Sequence, residues 1–109
     1  MARTALGEFE HLVLLAILRL GDAAYAPAIL EELETRTGRP ASPGSMYVTL
    51  DRLEGKGLLR SRLADSGDER GGRPRRYVRV TALGVRELRA SRAALTKLWR
   101  GLEGILERS

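Results

Sequence analysis

The sequence predicts a mainly helical α+β domain with one small β-hairpin, and three observations carry that expectation. Three stretches within residues 1–57 place apolar side chains at helical spacing, and each stops at a glycine. Two short stretches that follow, 58–63 and 77–80, alternate or are β-branched enough to pair as strands. A last stretch, 82–107, returns to helical periodicity and looks too long for the small body before it.

The first helix is expected from Gly7 to Leu20. Phe9, Leu12, Val13, Ala16, Ile17 and Leu20 line one face, while Leu14, Leu15 and Leu18 make the opposite face apolar as well. A helix apolar all round is covered on both sides, and in a chain this small one of those sides should meet a second subunit. The second helix, Tyr25 to Thr37, turns Tyr25, Ile29 and Leu33 inward, with Pro27 tolerated in its first turn and Gly38 as its stop. Ser42-Pro43 reads as an N-cap followed by proline at the first helical position, opening a third helix that runs to Lys56 and ends at Gly57. On that helix Met46, Leu50 and Leu53 share one side. Ser45, Val48, Arg52 and Lys56 share the other, with Tyr47 and Thr49 at the flanks. The segment 64–76 is polar and glycine-containing, an extended basic loop joining the two strands. Thr81 is the expected N-cap of a final helix from Ala82 to Glu107, which would measure about 39 Å. Leu88, Leu95 and Leu102 interleave with Ser91, Leu98 and Ile105 as heptad positions, and Trp99 and Leu106 widen the stripe, so this helix is expected to pack on another chain.

Composition narrows the function classes. The 109 residues suit one compact domain plus an appended element, and 43% hydrophobic content with 30% charged residues describes a folding chain. Cysteine is absent, as are Asn and Gln, and there is one histidine, so thiolate metal sites and nucleophile–base pairs cannot be assembled; an enzyme is not expected, nor a metal or cofactor. His11 lacks a second His or Cys to complete a metal site and reads as a first-helix or interface side chain. No uncharged run reaches 18 residues and the start carries Glu8, Glu10 and His11, so neither a membrane span nor a signal peptide is expected, and the expected location is the cytoplasm, at the nucleoid.

The net charge of +5 suggests a polyanionic partner, and its distribution is uneven. Residues 1–57 hold six Arg or Lys against eight acids, residues 58–80 hold seven Arg against three acids, and residues 81–109 hold six against three. Asp65, Asp68 and Glu69 share the basic loop and read as solubilising or ion-paired groups. Gly71-Gly72 lacks the Lys-Ser/Thr ending of a phosphate-binding loop, so no nucleotide site is expected.

Helix, helix, capped helix, two strands with a basic loop and a long helix is the plan of a winged helix-turn-helix, residues 1–80 forming that unit and 81–109 a dimerisation helix. The third helix would read the major groove of double-stranded DNA, with Ser42 and Ser45 at its start, Tyr47, Val48 and Thr49 along it, and Arg52 and Lys56 toward its end. Arg70, Arg73, Arg75 and Arg76 of the loop would meet phosphates or a narrow minor groove.

At these residues the chain resembles the PadR family of bacterial transcriptional regulators. The likeness lies in 6–18, in 42–54 with Gly57-Leu58-Leu59, where Tyr47 is the hallmark aromatic, and in 69–77 running into Val80-Thr81-Ala82-Leu83-Gly84. The resemblance implies a homodimeric repressor on a roughly palindromic promoter site, paired through the first and last helices, with the single C-terminal helix of the smaller subfamily. The expected interface comprises Phe9, Leu14, Leu18, Leu88, Leu95, Leu98, Trp99, Leu102 and Ile105. Some members bind flat aromatic molecules at that interface, which implies a small hydrophobic or aromatic effector near Trp99 and Leu95, although Trp99 would equally fill a dimer core. The family usually carries Tyr-Gly in the second helix where this chain has Tyr25-Ala26-Pro27, so a shifted helix start is expected. A second reading stays open, a dimeric helical protein whose interface binds small molecules or a protein without DNA.

Overall fold

In a computed structural model, which describes residues 6–65 and 74–108, the chain is a winged helix-turn-helix. Helix α1 (Glu8–Leu20) leads through a 3-10 turn (Gly21–Ala23) into α2 (Ala26–Thr37), then α3 (Pro43–Gly55), the strands β1 (Leu59–Asp65) and β2 (Pro74–Val80), and two closing helices, α4 (Ala82–Trp99) and α5 (Glu103–Glu107). The strands pair antiparallel, with Leu59 opposite Val80 and Arg62 opposite Tyr77. Both are longer than the apolar pattern suggested, because the backbone ladder continues into the polar segment that sequence assigned to the loop. The Val78 N–H also donates to the Ala24 carbonyl at 2.9 Å, which ties the wing to the turn before α2.

The helix boundaries follow local chemistry. Ser42 caps α3 by accepting from the Ser45 N–H at 3.0 Å, and Thr81 caps α4 by accepting from the Gly84 N–H at 3.1 Å. Gly38 closes α2 in the left-handed region at φ 70°, a conformation that costs glycine nothing. Helix α2 starts one residue later than the periodicity suggested, with Tyr25 as its extended N-cap rather than a member of its inner face.

The core lies where α1, α2, α3 and the hairpin meet: Val13, Leu14, Ile17, Ile29, Met46, Leu50 and Leu53 are all within 2% of complete burial. Each such aliphatic side chain contributes about 1.5–3 kcal/mol. Helix α4 docks by its first turns only, through Leu88 and Gly84, a glycine whose Cβ would stand 2.5 Å from the Leu58 carbonyl oxygen.

The single long C-terminal helix does not form. The chain leaves helical geometry at Arg100 and turns at Gly101 with φ 89°, and five residues of α5 follow. Helix α4 is therefore about 27 Å long, and the heptad series running from Leu88 to Ile105 is interrupted before Leu102. Among the described residues, no helix is long and apolar enough to cross a membrane.

Candidate nucleic-acid interface

The N-terminal turns of α3 stand out from the body. Ser42, Ser45, Tyr47, Val48 and Arg52 are exposed, Tyr47 and Val48 by about half, while Met46 and Leu50 behind them are sealed. The Ser42 cap leaves the Ser45 hydroxyl on the outer surface, 3.0 Å from that of Ser42. Thr49, expected beside them, is buried at 5% exposure: the apolar side of α3 is wider than its leucines alone, and takes in this flank. Lys56 also leaves the outward group. The helix ends at Gly55, so the Lys56 side chain turns back and its Nζ lies 2.9 Å from Glu10 Oε2.

That pair anchors α1 to α3. Glu10 Oε1 accepts from the Gly7 N–H at 2.9 Å, so both carboxylate oxygens are occupied. Burial pushes the Glu10 carboxyl upward, but the Gly7 hydrogen bond and the Lys56 charge outweigh it and hold it below the ordinary carboxylate value.

Strand alternation sorts the wing arginines. Arg75 shares its face with Tyr77 and Arg79, whereas Arg76 shares the inner face with Val78 and Val80. On the outer face the Arg62 guanidinium lies 4.6 Å from the centre of the Tyr77 ring, and the Arg75 guanidinium 4.8 Å from the centre of the Tyr25 ring. The two rings are 5.6 Å apart and tilted by 42°, so arginine, tyrosine, tyrosine and arginine form one stack that fastens β2 to the start of α2. Sequence reasoning missed Tyr25, Tyr77 and Arg62 as parts of this surface, although Arg62 and Tyr77 were visible as residues of two strands that must pair. Arg76, by contrast, points to α3 and meets Asp51 and Glu54. Arg70 and Arg73 lie outside the described residues.

Between the start of α2, the outer side of α3 and β2 is an open cleft of about 730 Å³, lined by Tyr25, Pro27, Tyr47 and Arg75 among others. Tyr47 and Leu50 of α3 face Pro74, Arg75 and Arg76 of β2 across it, so α3 and the wing share its walls. Its chemistry is aromatic and cationic, and among the described residues no nucleophile–base pair lines it. Among the described residues no group of three His, Cys, Asp or Glu could hold a metal ion.

A second open groove, of about 520 Å³, runs between α1 and α4 and is lined by His11, Leu15, Leu18, Leu88, Leu95 and Arg92 among others. His11 Nδ1 is 3.0 Å from the Ser91 hydroxyl, and burial lowers the histidine pKa. Of the residues expected at a dimer interface, Leu18, Leu95, Leu98, Trp99, Leu102 and Ile105 are exposed. Leu14 is fully buried and belongs to the chain's own interior, Leu88 is 6% exposed at the wall of the groove, and Phe9 is half-buried against the core. Leu95 lines the groove; Trp99 is not part of its lining.

Comparison with known proteins places this arrangement. Residues 14–90 match the transcriptional regulator PadR-like family. The transcriptional regulator Rv3488 of Mycobacterium tuberculosis is 43% identical over 72 residues, a stretch covering 64% of this chain and 62% of that relative's length. A PadR family transcriptional regulator from Eggerthella lenta superposes with a TM-score of 0.69 at 34% identity, over 94% of this chain and 88% of the other. A PadR-like transcription factor from Bacteroides fragilis gives 0.70 at 26% identity, over 89% and 88%. The match takes in the second half of α1, all of α2, α3 and the hairpin, and the first half of α4, and the family is one of regulators rather than enzymes: the chain belongs to the transcriptional regulator PadR-like family.

Proposed function

We propose that the chain is a sequence-specific DNA-binding regulator that represses transcription as a homodimer on a palindromic promoter site. The observation that carries this reading is the shared surface of α3 and the wing: Tyr47 and Arg75 line one cleft, and Ser42, Ser45, Val48 and Arg52 stand exposed on the helix that carries Tyr47. Serine and arginine at the start and outer side of a helix match base edges and phosphates, and Val48 matches a thymine methyl. Residues 1–80 act as the reading unit and 81–109 as the pairing element, the exposed leucines of α1 and α4 being covered by the second copy. A small hydrophobic or aromatic effector fits the α1–α4 groove, whose floor is leucine-rich.

Fluorescence anisotropy on a duplex from the adjoining promoter, against random DNA of equal length, tests the reading. Binding should weaken steeply between about 50 and 200 mM salt, and Arg73→Ala with Arg75→Ala should lower the salt slope by about 0.9 for each phosphate no longer neutralised. Equal affinity for promoter and random duplexes would remove the sequence-specific part of the proposal.

A further inference from the structure

Arg76 belongs by sequence to the wing's basic run and its side chain, 28% exposed, lines the cleft beside Arg75, yet its guanidinium is engaged by α3 and β1. Nη1 donates to Asp51 Oδ1 at 2.9 Å, Nη2 to Glu54 Oε1 at 2.7 Å, and Nε to Ser61 Oγ at 3.0 Å. The Ser61 hydroxyl donates in turn to the same Glu54 oxygen at 2.6 Å. One side chain therefore joins α3, β1 and β2, using three N–H directions of a fork that has five. Burial alone would weaken the Arg76 charge, but its bonds to Glu54 and Asp51 outweigh that and raise its pKa. Glu54 is lowered by the Ser61 and Arg76 hydrogen bonds.

The placement has an electrostatic consequence for the surface proposed above. Asp51 and Glu54 lie on the reading helix itself, within one and two residues of Arg52, and the Asp51 side chain is 70% exposed. Two carboxylates beside a phosphate track repel it, and Arg76, a single positive charge held between them, offsets only one. We infer that Arg76, Asp51 and Glu54 form a positioning latch that sets the wing against the reading helix and fixes specificity, with Arg76 making no phosphate contact. The latch rests on the DNA-binding reading for its effect on specificity, but it also makes a claim about the DNA-free protein. It holds one arginine back from sequence-independent contact and keeps a net negative charge where a misplaced backbone would meet it.

The full-length protein tests this in two ways. On a random duplex, Arg76→Ala should leave the salt slope unchanged, while its affinity for the promoter duplex falls about tenfold as the wing loses its register. Asp51→Asn with Glu54→Gln should do the reverse on random DNA: the freed arginine reaches phosphate, the slope steepens by about 0.9 and affinity rises about tenfold, so the promoter-to-random ratio shrinks. A drop of about 0.9 in slope for Arg76→Ala, equal to that for Arg75→Ala, would show a direct phosphate contact and overturn the latch. The second measurement needs no DNA. Amide hydrogen exchange in β1 and β2 should accelerate about tenfold in Arg76→Ala, with partial recovery in Arg76→Lys, whose ammonium can serve one carboxylate and not three partners. Unchanged exchange would overturn the latch even if promoter recognition holds; accelerated exchange without promoter preference would sustain the latch and sink the regulator reading instead.

Discussion

The two halves of this molecule finish their interactions to different degrees. In the reading half, α2, α3 and the hairpin close over Ile29, Met46, Leu50, Leu53 and Val78, and four of the cations around them have internal partners: Lys56 holds Glu10, Arg76 holds Asp51 and Glu54, and Arg62 and Arg75 lie on tyrosine rings. In the pairing half, Leu98 is 76% exposed and Ile105 61%, with Leu95, Leu102 and Leu106 about half exposed beside them. So many exposed leucine and isoleucine side chains in so short a segment suit an interaction site. On the proposed reading, one chain carries a complete reading unit and one side of a pairing unit, so substitutions of the same chemistry should have different consequences in the two.

The largest expected difference comes from two leucine-to-alanine changes. Leu53→Ala empties a fully buried position and should cost about 2–5 kcal/mol in urea unfolding. Leu98→Ala should change the stability of dilute protein by no more than about 0.5 kcal/mol. It should instead weaken self-association in analytical ultracentrifugation and flatten the dependence of Tm on concentration. If Leu98→Ala destabilises the chain as much as Leu53→Ala at every concentration, the two halves are one cooperative core and the comparison fails.

The junction of the halves comes next. A Cβ on Gly84 would meet the Leu58 carbonyl oxygen at 2.5 Å and Val80 Cγ1 at 2.6 Å, one of them backbone that cannot rotate away. Gly84→Ala should therefore cost about 1–3 kcal/mol in thermal unfolding. Gly101, in the α4–α5 turn, has open space around it and only its positive φ at stake, so Gly101→Ala should cost about 1 kcal/mol. Equal losses at the two sites would mean that α4 is not seated on the hairpin by close backbone approach.

How much of this was legible in sequence depends on whether the deciding interaction was local. Helix α3 was readable because Ser42, Pro43 and Gly57 punctuate it within the chain, and the leucine spacing names its buried side. The α4 break was not: the heptad spacing of Leu95, Leu98, Leu102 and Ile105 runs straight through Gly101, and apolar period says nothing about where a backbone turns. Thr49 was placed at a flank because a helical wheel fixes direction and not the width of what packs against it. Lys56 and Arg76 were pooled with surface cations, since their partners Glu10, Asp51 and Glu54 lie 46, 25 and 22 residues away. For Arg76 the signal existed, because strand alternation sets it with Val78 and Val80 on the inner face.

The smallest expected effect separates the halves by pH. His11 joins α1 to α4 through Ser91, and Arg89 and Arg92 line the same groove, so a proton on the imidazole would sit among cations. Burial lowers its pKa in the folded chain, which means that the unfolded chain takes up the proton first as pH falls below about 6.5. Stability contributed by neutral His11 is thus present at neutral pH, declines as pH falls from that value toward the folded pKa, and levels off below it. The reading half behaves differently. Glu10 and Glu54 have lowered pKa values, so their contribution is whole above the ordinary carboxylate range and is lost only as pH falls through it. Thermal unfolding from pH 7 to pH 3 should therefore decline in two stages, and His11→Gln, which keeps a hydrogen-bonding group beside Ser91, should remove the upper stage and leave the lower. A His11→Gln profile still falling between about pH 7 and 5 would place that stage elsewhere and leave the α1–α4 contact without a titrating link.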